Sequence, residues 1–177
     1  MPNIVICGTP GTGKSTIVAE LKKSLPNYEF FNLSEYAIEH NYTLDRDERL
    51  DTHVIDEDKV LSVLEPLLER SDNHVIEYMH GDMFRTNLVD WVFVCRTDIE
   101  LLGTRLEQRG YNEEKIRNNI DAEIFQVILD ESIEFHGDQK VTQLVNHSLE
   151  DLEHNVQLIL DRINKSNDGG LGRETLM

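Results

Sequence analysis

Short apolar runs alternate with amphipathic stretches along most of this chain. Residues 3–7 (Asn-Ile-Val-Ile-Cys), 74–78 and 90–96 are continuously hydrophobic rather than alternating. That is the pattern of parallel strands buried on both faces. Residues 28–32 predict a further short strand, and 140–145 a fifth, edge-like one. Between them, residues 16–25 read as a helix. Ser34 is placed to cap a short helix reaching about residue 40. Asp56, Glu57 and Asp58 open another helix, with Val60, Leu64, Leu67 and Leu68 as its buried stripe. Pro66 inside that stripe predicts a kink or a helix in two pieces. Asp98 caps a helix to about residue 109, where Gly110 stops it. A single long helix over 113–135 ends at Gly137. Residues 149–163 form a last amphipathic helix on Leu152, Val156, Ile159, Leu160 and Ile163. Residues 41–54 are polar and weakly periodic, which predicts a mobile surface insertion. From residue 164 onward the chain reads as a frayed tail. The alternation predicts an α/β domain over 1–163, a parallel sheet with helices on both faces and its ligand at the C-terminal strand ends.

Charge narrows the partners. The chain has 177 residues, with 34 acidic against 17 basic side chains and a formal net charge of −17. Affinity for nucleic acid comes mostly from neutralising phosphates, so general nucleic-acid binding is not expected. Any anionic ligand needs a local basic cluster set against the overall field. Cys7 and Cys95 both lie in apolar runs and read as reduced core thiols of a cytosolic or nuclear protein. No targeting segment or membrane span is visible, so no membrane partner is expected and the three sequons are idle.

The first strand runs straight into Gly8-Thr9-Pro10-Gly11-Thr12-Gly13-Lys14-Ser15, which fits G-x-x-x-x-G-K-[ST]. In such a loop, glycines let successive backbone N–H groups point at phosphate oxygens, and the following helix adds its own unpaired N–H groups. Lys14 offers a full charge to the β- and γ-phosphates, and the Ser15 hydroxyl is the expected Mg²⁺ ligand.

Three groups extend the site. Glu77, at the end of the third predicted strand, is placed to serve the metal, and His80 and Asp82 continue its cluster. Arg105 and Arg109 lie four apart, on one helix face, and suit the charge of a transferring phosphoryl group. Asn119 and Glu123 also share a face, but such pairs are usually solvated.

Several stretches together resemble the nuclear adenylate-kinase-like NTPases, also called adenylate kinase isoenzyme six or coilin-interacting nuclear ATPase. They are residues 8–15, Val-Ile-Asp-Glu-Asp (54–58), Arg-Thr-Asp (96–98), Arg-Gly-Tyr-Asn-Glu-Glu-Lys-Ile (109–116) and Asn-Ile-Asp-Ala-Glu-Ile-Phe-Gln-Val (119–127). The resemblance spans about residues 3–163. It implies an adenylate-kinase-like P-loop NTPase fold with a five-stranded parallel sheet and two small lids. The monophosphate lid would lie near 32–55 and the second lid near 108–118. It further implies ATP hydrolysis with some adenylate kinase activity (ATP + AMP to 2 ADP). A role in small ribosomal subunit maturation, beside a ribosomal protein, and nuclear and cytoplasmic localisation go with it.

Carried onto this chain, Gly11, Gly13, Lys14, Ser15, Thr16 and Arg109 would hold ATP. Lys14, Arg105, Arg109, Glu77 and His80 would form the catalytic set, with Ser15 and Glu77 at the metal. Three departures stand out. The family's Asp-x-His is here Glu77-Tyr78-Met79-His80, the first lid's arginine is Ile38, and a lysine near the adenine is Ser148. With Ile38 in place, Arg85 is the nearest substitute cation for an acceptor phosphate. Two rival readings remain open: a small-molecule kinase with a non-nucleotide acceptor, and an assembly factor for which ATP is a conformational ligand.

Overall fold

The computed structural model describes residues 1–168. In chain order its first elements are β1 (Ile4–Cys7), α1 (Lys14–Ser24), β2 (Glu29–Asn32), α2 (Leu33–Glu39), β3 (Thr43–Asp47), β4 (Thr52–Ile55) and α3 (Glu57–Arg70). There follow β5 (His74–Glu77), β6 (Trp91–Arg96), α4 (Ile99–Gln108), α5 (Glu113–Ile124), α6 (Val127–His136), β7 (Val141–Val145) and α7 (Leu149–Asp168).

Five strands form one parallel sheet in the order β2-β5-β1-β6-β7, with Ile4 opposite both Val75 and Trp91. Successive side chains of a strand point to opposite faces, and here each face has its own core. Val5, Cys7, Ile76, Val92 and Val94 pack with Leu33 and Ala37 of α2, Val60 and Leu64 of α3, and Leu129 of α6. Ile4, Ile6, Val75, Phe93 and Cys95 pack on the other face with Ile17 and Leu21 of α1 and with Ile159 and Ile163 of α7. Burying each large apolar side chain contributes about 1.5–3 kcal/mol. β1 is thus the most enclosed strand, and the loop leaving its C-terminal end is held by a rigid frame.

The structure corrects the sequence reading in several places. Residues 41–54 are no shapeless insertion: β3 and β4 pair antiparallel, Arg46 opposite His53, with an irregular register between Thr43 and Arg46. Leu44, Asp45, Arg46, His53 and Val54 are all exposed, so no apolar alternation marks the strands. Asn32, not Ser34, caps α2, its side-chain oxygen accepting from the Glu35 N–H at 3.3 Å. α3 runs unbroken through Pro66. Pro66 and Ser62 are exposed, so the carbonyl deprived of its partner sits on the solvent side. The long helix over 113–135 is two helices, separated where Gln126 turns left-handed at φ 56°. Finally, α7 continues to Asp168, past the predicted start of the tail. Ser166 accepts from the Trp91 indole N–H at 3.0 Å, and the Arg162 guanidinium covers the Trp91 ring at 4.2 Å. The remainder of the predicted tail, 169–177, lies outside the described residues. Among the described residues no helix is long and apolar enough to cross a membrane.

Candidate active site

Where β1 ends, the chain folds into a loop held from several sides. The Gly8 N–H donates to the Met79 carbonyl at 3.1 Å, and the Thr12 hydroxyl to the Thr9 carbonyl at 2.8 Å. Gly13 takes φ 94°, and a Cβ there would fall on the Asn146 amide, so glycine is required twice over. Asn146 meanwhile donates to the Thr12 carbonyl at 2.9 Å, tying the loop to the end of β7. α1 starts at Lys14 with Gly13 as its cap, no side-chain cap and no acid in its first turn. Its first N–H groups therefore remain for an anion.

Lys14 lies against this loop. Its ammonium donates to the Gly8 carbonyl at 2.7 Å and the Thr9 carbonyl at 3.1 Å. Burial pushes its pKa below the ordinary lysine value, with nearby Glu77 opposing that fall. The Ser15 hydroxyl donates to Glu77 Oε1 at 2.5 Å, and Glu77 itself is buried at the end of β5. Two hard oxygen donors thus meet beside the loop, a set that fits Mg²⁺. A cavity of about 990 Å³ opens here, lined by Lys14, Ser15, Glu77, His80 and Arg109 among others.

The predicted site residues divide into two groups. Gly11, Gly13, Lys14, Ser15, Glu77, His80 and Arg109 all line the cavity. Arg105 does not: its guanidinium donates to the Gly11 carbonyl at 3.0 Å, bracing the loop. Thr16, in the first turn of α1, is also absent from the cavity wall and exposed. Arg85 is no acceptor-site cation, being held by Glu65 at 2.9 Å and Glu69 at 2.6 Å on α3.

Glu123 overturns the solvated reading given to it. It is 1% exposed and accepts from the Thr9 hydroxyl at 2.6 Å, from Arg96 Nε at 2.5 Å and from the Thr97 N–H at 3.2 Å. Arg96 also donates to the Glu123 carbonyl at 2.7 Å. One carboxylate thus ties the phosphate-type loop to β6 and α5. A clue was available in Arg96, a cation ending the most apolar strand, which calls for a partner.

The cavity is electrically uneven. Lys14, Arg109 and Lys115 line it on the side of the loop, α4 and α5, whereas Glu35, Asp56, Glu57 and Asp58 line it from α2 and α3. The β3–β4 hairpin touches α5 directly. Arg49 Nε pairs with Glu114 at 2.9 Å, and Lys115 donates to the Asp51 carbonyl at 3.1 Å. Asn112 donates to the Arg49 carbonyl at 3.0 Å.

Known proteins resemble this chain over most of its length. Residues 4–126 match the family model described as an AAA domain. The chain is 39% identical over 159 residues to the adenylate kinase isoenzyme 6 homolog FAP7 of Saccharomyces cerevisiae, covering 90% of this chain and 80% of that one. To the adenylate kinase isoenzyme 6 homolog of Caenorhabditis elegans it is 36% identical over 161 residues, covering 90% and 88%. Among solved structures, a shikimate kinase from Bacteroides thetaiotaomicron superposes with TM-score 0.60 at 18% identity, covering 92% of this chain and 98% of that one. A deoxyadenosine kinase from M. mycoides gives 0.53 at 18% identity, covering 92% and 99%. At such identities the structural likeness speaks for the fold.

Proposed function

Because the chain belongs to the adenylate kinase isoenzyme 6 family and is a kinase-like enzyme, we propose that it transfers the γ-phosphoryl group of ATP chiefly to water and weakly to AMP. The observation that carries this reading is the meeting of Ser15 and Glu77 beside an uncapped α1 and the Lys14 ammonium.

The loop N–H groups and the first turn of α1 bind the phosphates. Lys14 and Arg109 neutralise charge on the transferring group, and Arg105 and Glu123 hold the loop in place from behind. Mg²⁺ would be held by Ser15 directly and by Glu77 through water, and when bound it neutralises phosphate charge. In hydrolysis, the attacking water forms the new bond to the γ-phosphorus as the bond to the β–γ bridging oxygen breaks. ADP and inorganic phosphate leave. His80, on the cavity wall, is the side chain of the catalytic set able to take up the water's proton.

The acidic α2–α3 wall is the reason for ranking AMP second. A phosphate dianion approaching Glu35, Asp56, Glu57 and Asp58 meets like charge; Ile38, one turn beyond Glu35 and off the cavity wall, stands where the resembling family carries arginine, and Arg85 is engaged elsewhere. In the cell we assign the enzyme, in nucleus and cytoplasm, to small ribosomal subunit maturation through a basic ribosomal protein. The strongly acidic surface favours such a partner over RNA. The acidic exposed side chains Asp130, Glu131 and Glu134 on α6, and Glu150 and Glu153 on α7, are contact surfaces of the right sign. Asp151 is less free, since its carboxylate accepts from the His147 and Ser148 N–H groups at 3.0 Å each.

The test is phosphate and ADP release with ATP alone, with ATP plus AMP, and with ATP plus a basic small-subunit protein. Turnover with ATP alone, raised little by AMP, supports the reading. Turnover only with a non-nucleotide acceptor would instead favour a small-molecule kinase. ATP binding without turnover under any condition would favour the conformational-ligand reading.

A further inference from the structure

Beside the nucleotide-type cavity lies a second, smaller one of about 340 Å³, lined by Glu57, His80, Asp82, Met83 and Glu131. Its charge is one-sided. Three carboxylates and one imidazole face it, and among the described residues no lysine or arginine lines it. Arg85, three residues beyond Asp82, is taken up by Glu65 and Glu69. Within the group, one ligand atom each from His80, Asp82 and Glu131 lies within 4.8 Å of the others, and His80 Nδ1 stands 3.8 Å from Glu131 Oε2.

The two elements carrying these side chains are locked together. His80 and Asp82 flank Gly81, which packs so tightly on α6 that a Cβ would strike Ser132. His136, also on α6, places Nε2 2.9 Å from the Gly81 carbonyl, and Nδ1 3.3 Å from the Thr86 hydroxyl. A carbonyl only accepts, so Nε2 carries the proton, and this bond pins the loop to α6. Glu131 projects from the same helix. The three groups are therefore held in a common relation before any ligand arrives, which is what a cation site needs.

We propose that His80, Asp82 and Glu131 form a binding site for a divalent transition-metal ion of the zinc type, separate from the magnesium position at Ser15 and Glu77. One imidazole and two carboxylates are a donor set suited to Zn²⁺, with the fourth position left to water or to Glu57. The imidazole disfavours Mg²⁺ and Ca²⁺, which take oxygen ligands. The site shares His80 with the larger cavity, so zinc bound there withdraws that imidazole from the reaction assigned to it, but formation of the site needs no nucleotide.

The test is calorimetric titration of zinc chloride into chelator-treated full-length protein, with excess magnesium and a non-hydrolysable ATP analogue occupying the larger site. One zinc per chain is expected in the wild type. Glu131→Gln and Asp82→Asn should each weaken it about tenfold or more. Cobalt(II) in place of zinc should give visible absorption bands that Glu131→Gln removes. Glu131 is exposed on α6, so this variant should unfold at the wild-type temperature without metal. Absence of stoichiometric zinc, or equal zinc affinity in the wild type and both variants, overturns the site. Absence of ATP turnover in the zinc-free wild type, with stoichiometric zinc binding on titration, would count against the nucleotide reading alone.

Discussion

The ammonium of Lys14 rests on two loop carbonyls, at 2.7 and 3.1 Å, and lines the cavity. Its role is therefore toward a ligand. Lys14→Ala should cut ATP turnover by about a hundredfold or more, the scale seen when one preorganised charge-stabilising donor is lost. Its unfolding free energy should stay within about 1 kcal/mol of wild type. Turnover at the wild-type rate, measured by phosphate release, would refute the loop's assignment. Glu123 behaves in the opposite way. Removing it leaves Arg96, whose side chain is 16% exposed, without its carboxylate and frees Thr9. Glu123→Ala should cost on the order of 3 kcal/mol in denaturant unfolding, because breaking a buried pair strands the remaining charge. A loss under about 1 kcal/mol would mean that Arg96 finds water instead.

At the scale of elements, the sequence showed most where burial imposes a pattern. β1, β5 and β6 are buried on both faces and read directly as apolar runs, and the loop motif followed from residues alone. β3 and β4 have no such imprint, since only Ile55 packs on a core while Leu44, His53 and Val54 are exposed along the cavity, and the hairpin is held by backbone pairing and by its contacts with α5. The α5–α6 break was equally hidden. It occurs at a left-handed glutamine rather than at glycine or proline, and without it Glu123 looks like one more surface acid. Arg105 and Arg109 show a third limit: spacing put them on one helix face, but only three-dimensional placement separates the loop brace from the cavity residue. α2 brings Ser34 and Glu35 to the cavity wall, with Ile38 one turn beyond Glu35. Ile38 is 50% exposed, so Ile38→Arg adds a cation at little folding cost. AMP-dependent ADP formation should then improve by one to two decades in the AMP Michaelis constant, the worth of a charge-assisted bond of about 1.5–3 kcal/mol. A micromolar constant already present in the wild type would contradict the acidic-wall argument.

For the whole molecule, pH is a further lever on stability. Burial pushes the pKa values of His74 and His136 below the ordinary 6.5. As pH falls through that value, the unfolded chain takes up protons that the folded chain resists. Stability present above about pH 6.5 is therefore lost on acidification, and the loss levels off once the folded groups protonate. The thermal midpoint should fall between about pH 7.5 and 5.5. His136→Gln, which keeps a donor for the Gly81 carbonyl, should make that slope shallower, and an unchanged slope would remove His136 from the account. The acidic surface adds a second global property: binding of a basic partner should weaken with salt as screening shortens the range of the field.

The central claim is that Ser15 and Glu77 form the metal position of a phosphoryl-transfer site, and it is tested most directly by ATP turnover against Mg²⁺ concentration. Wild type, Glu77→Gln and Asp82→Asn should be compared in zinc-free buffer. Glu77 sits on the Ser15 hydroxyl at 2.5 Å, whereas Asp82 faces the smaller cavity. Glu77→Gln should raise the Mg²⁺ needed for half-maximal turnover about tenfold or more, and clearly more than Asp82→Asn. An unshifted Mg²⁺ requirement in Glu77→Gln, or the larger shift in Asp82→Asn, would contradict it.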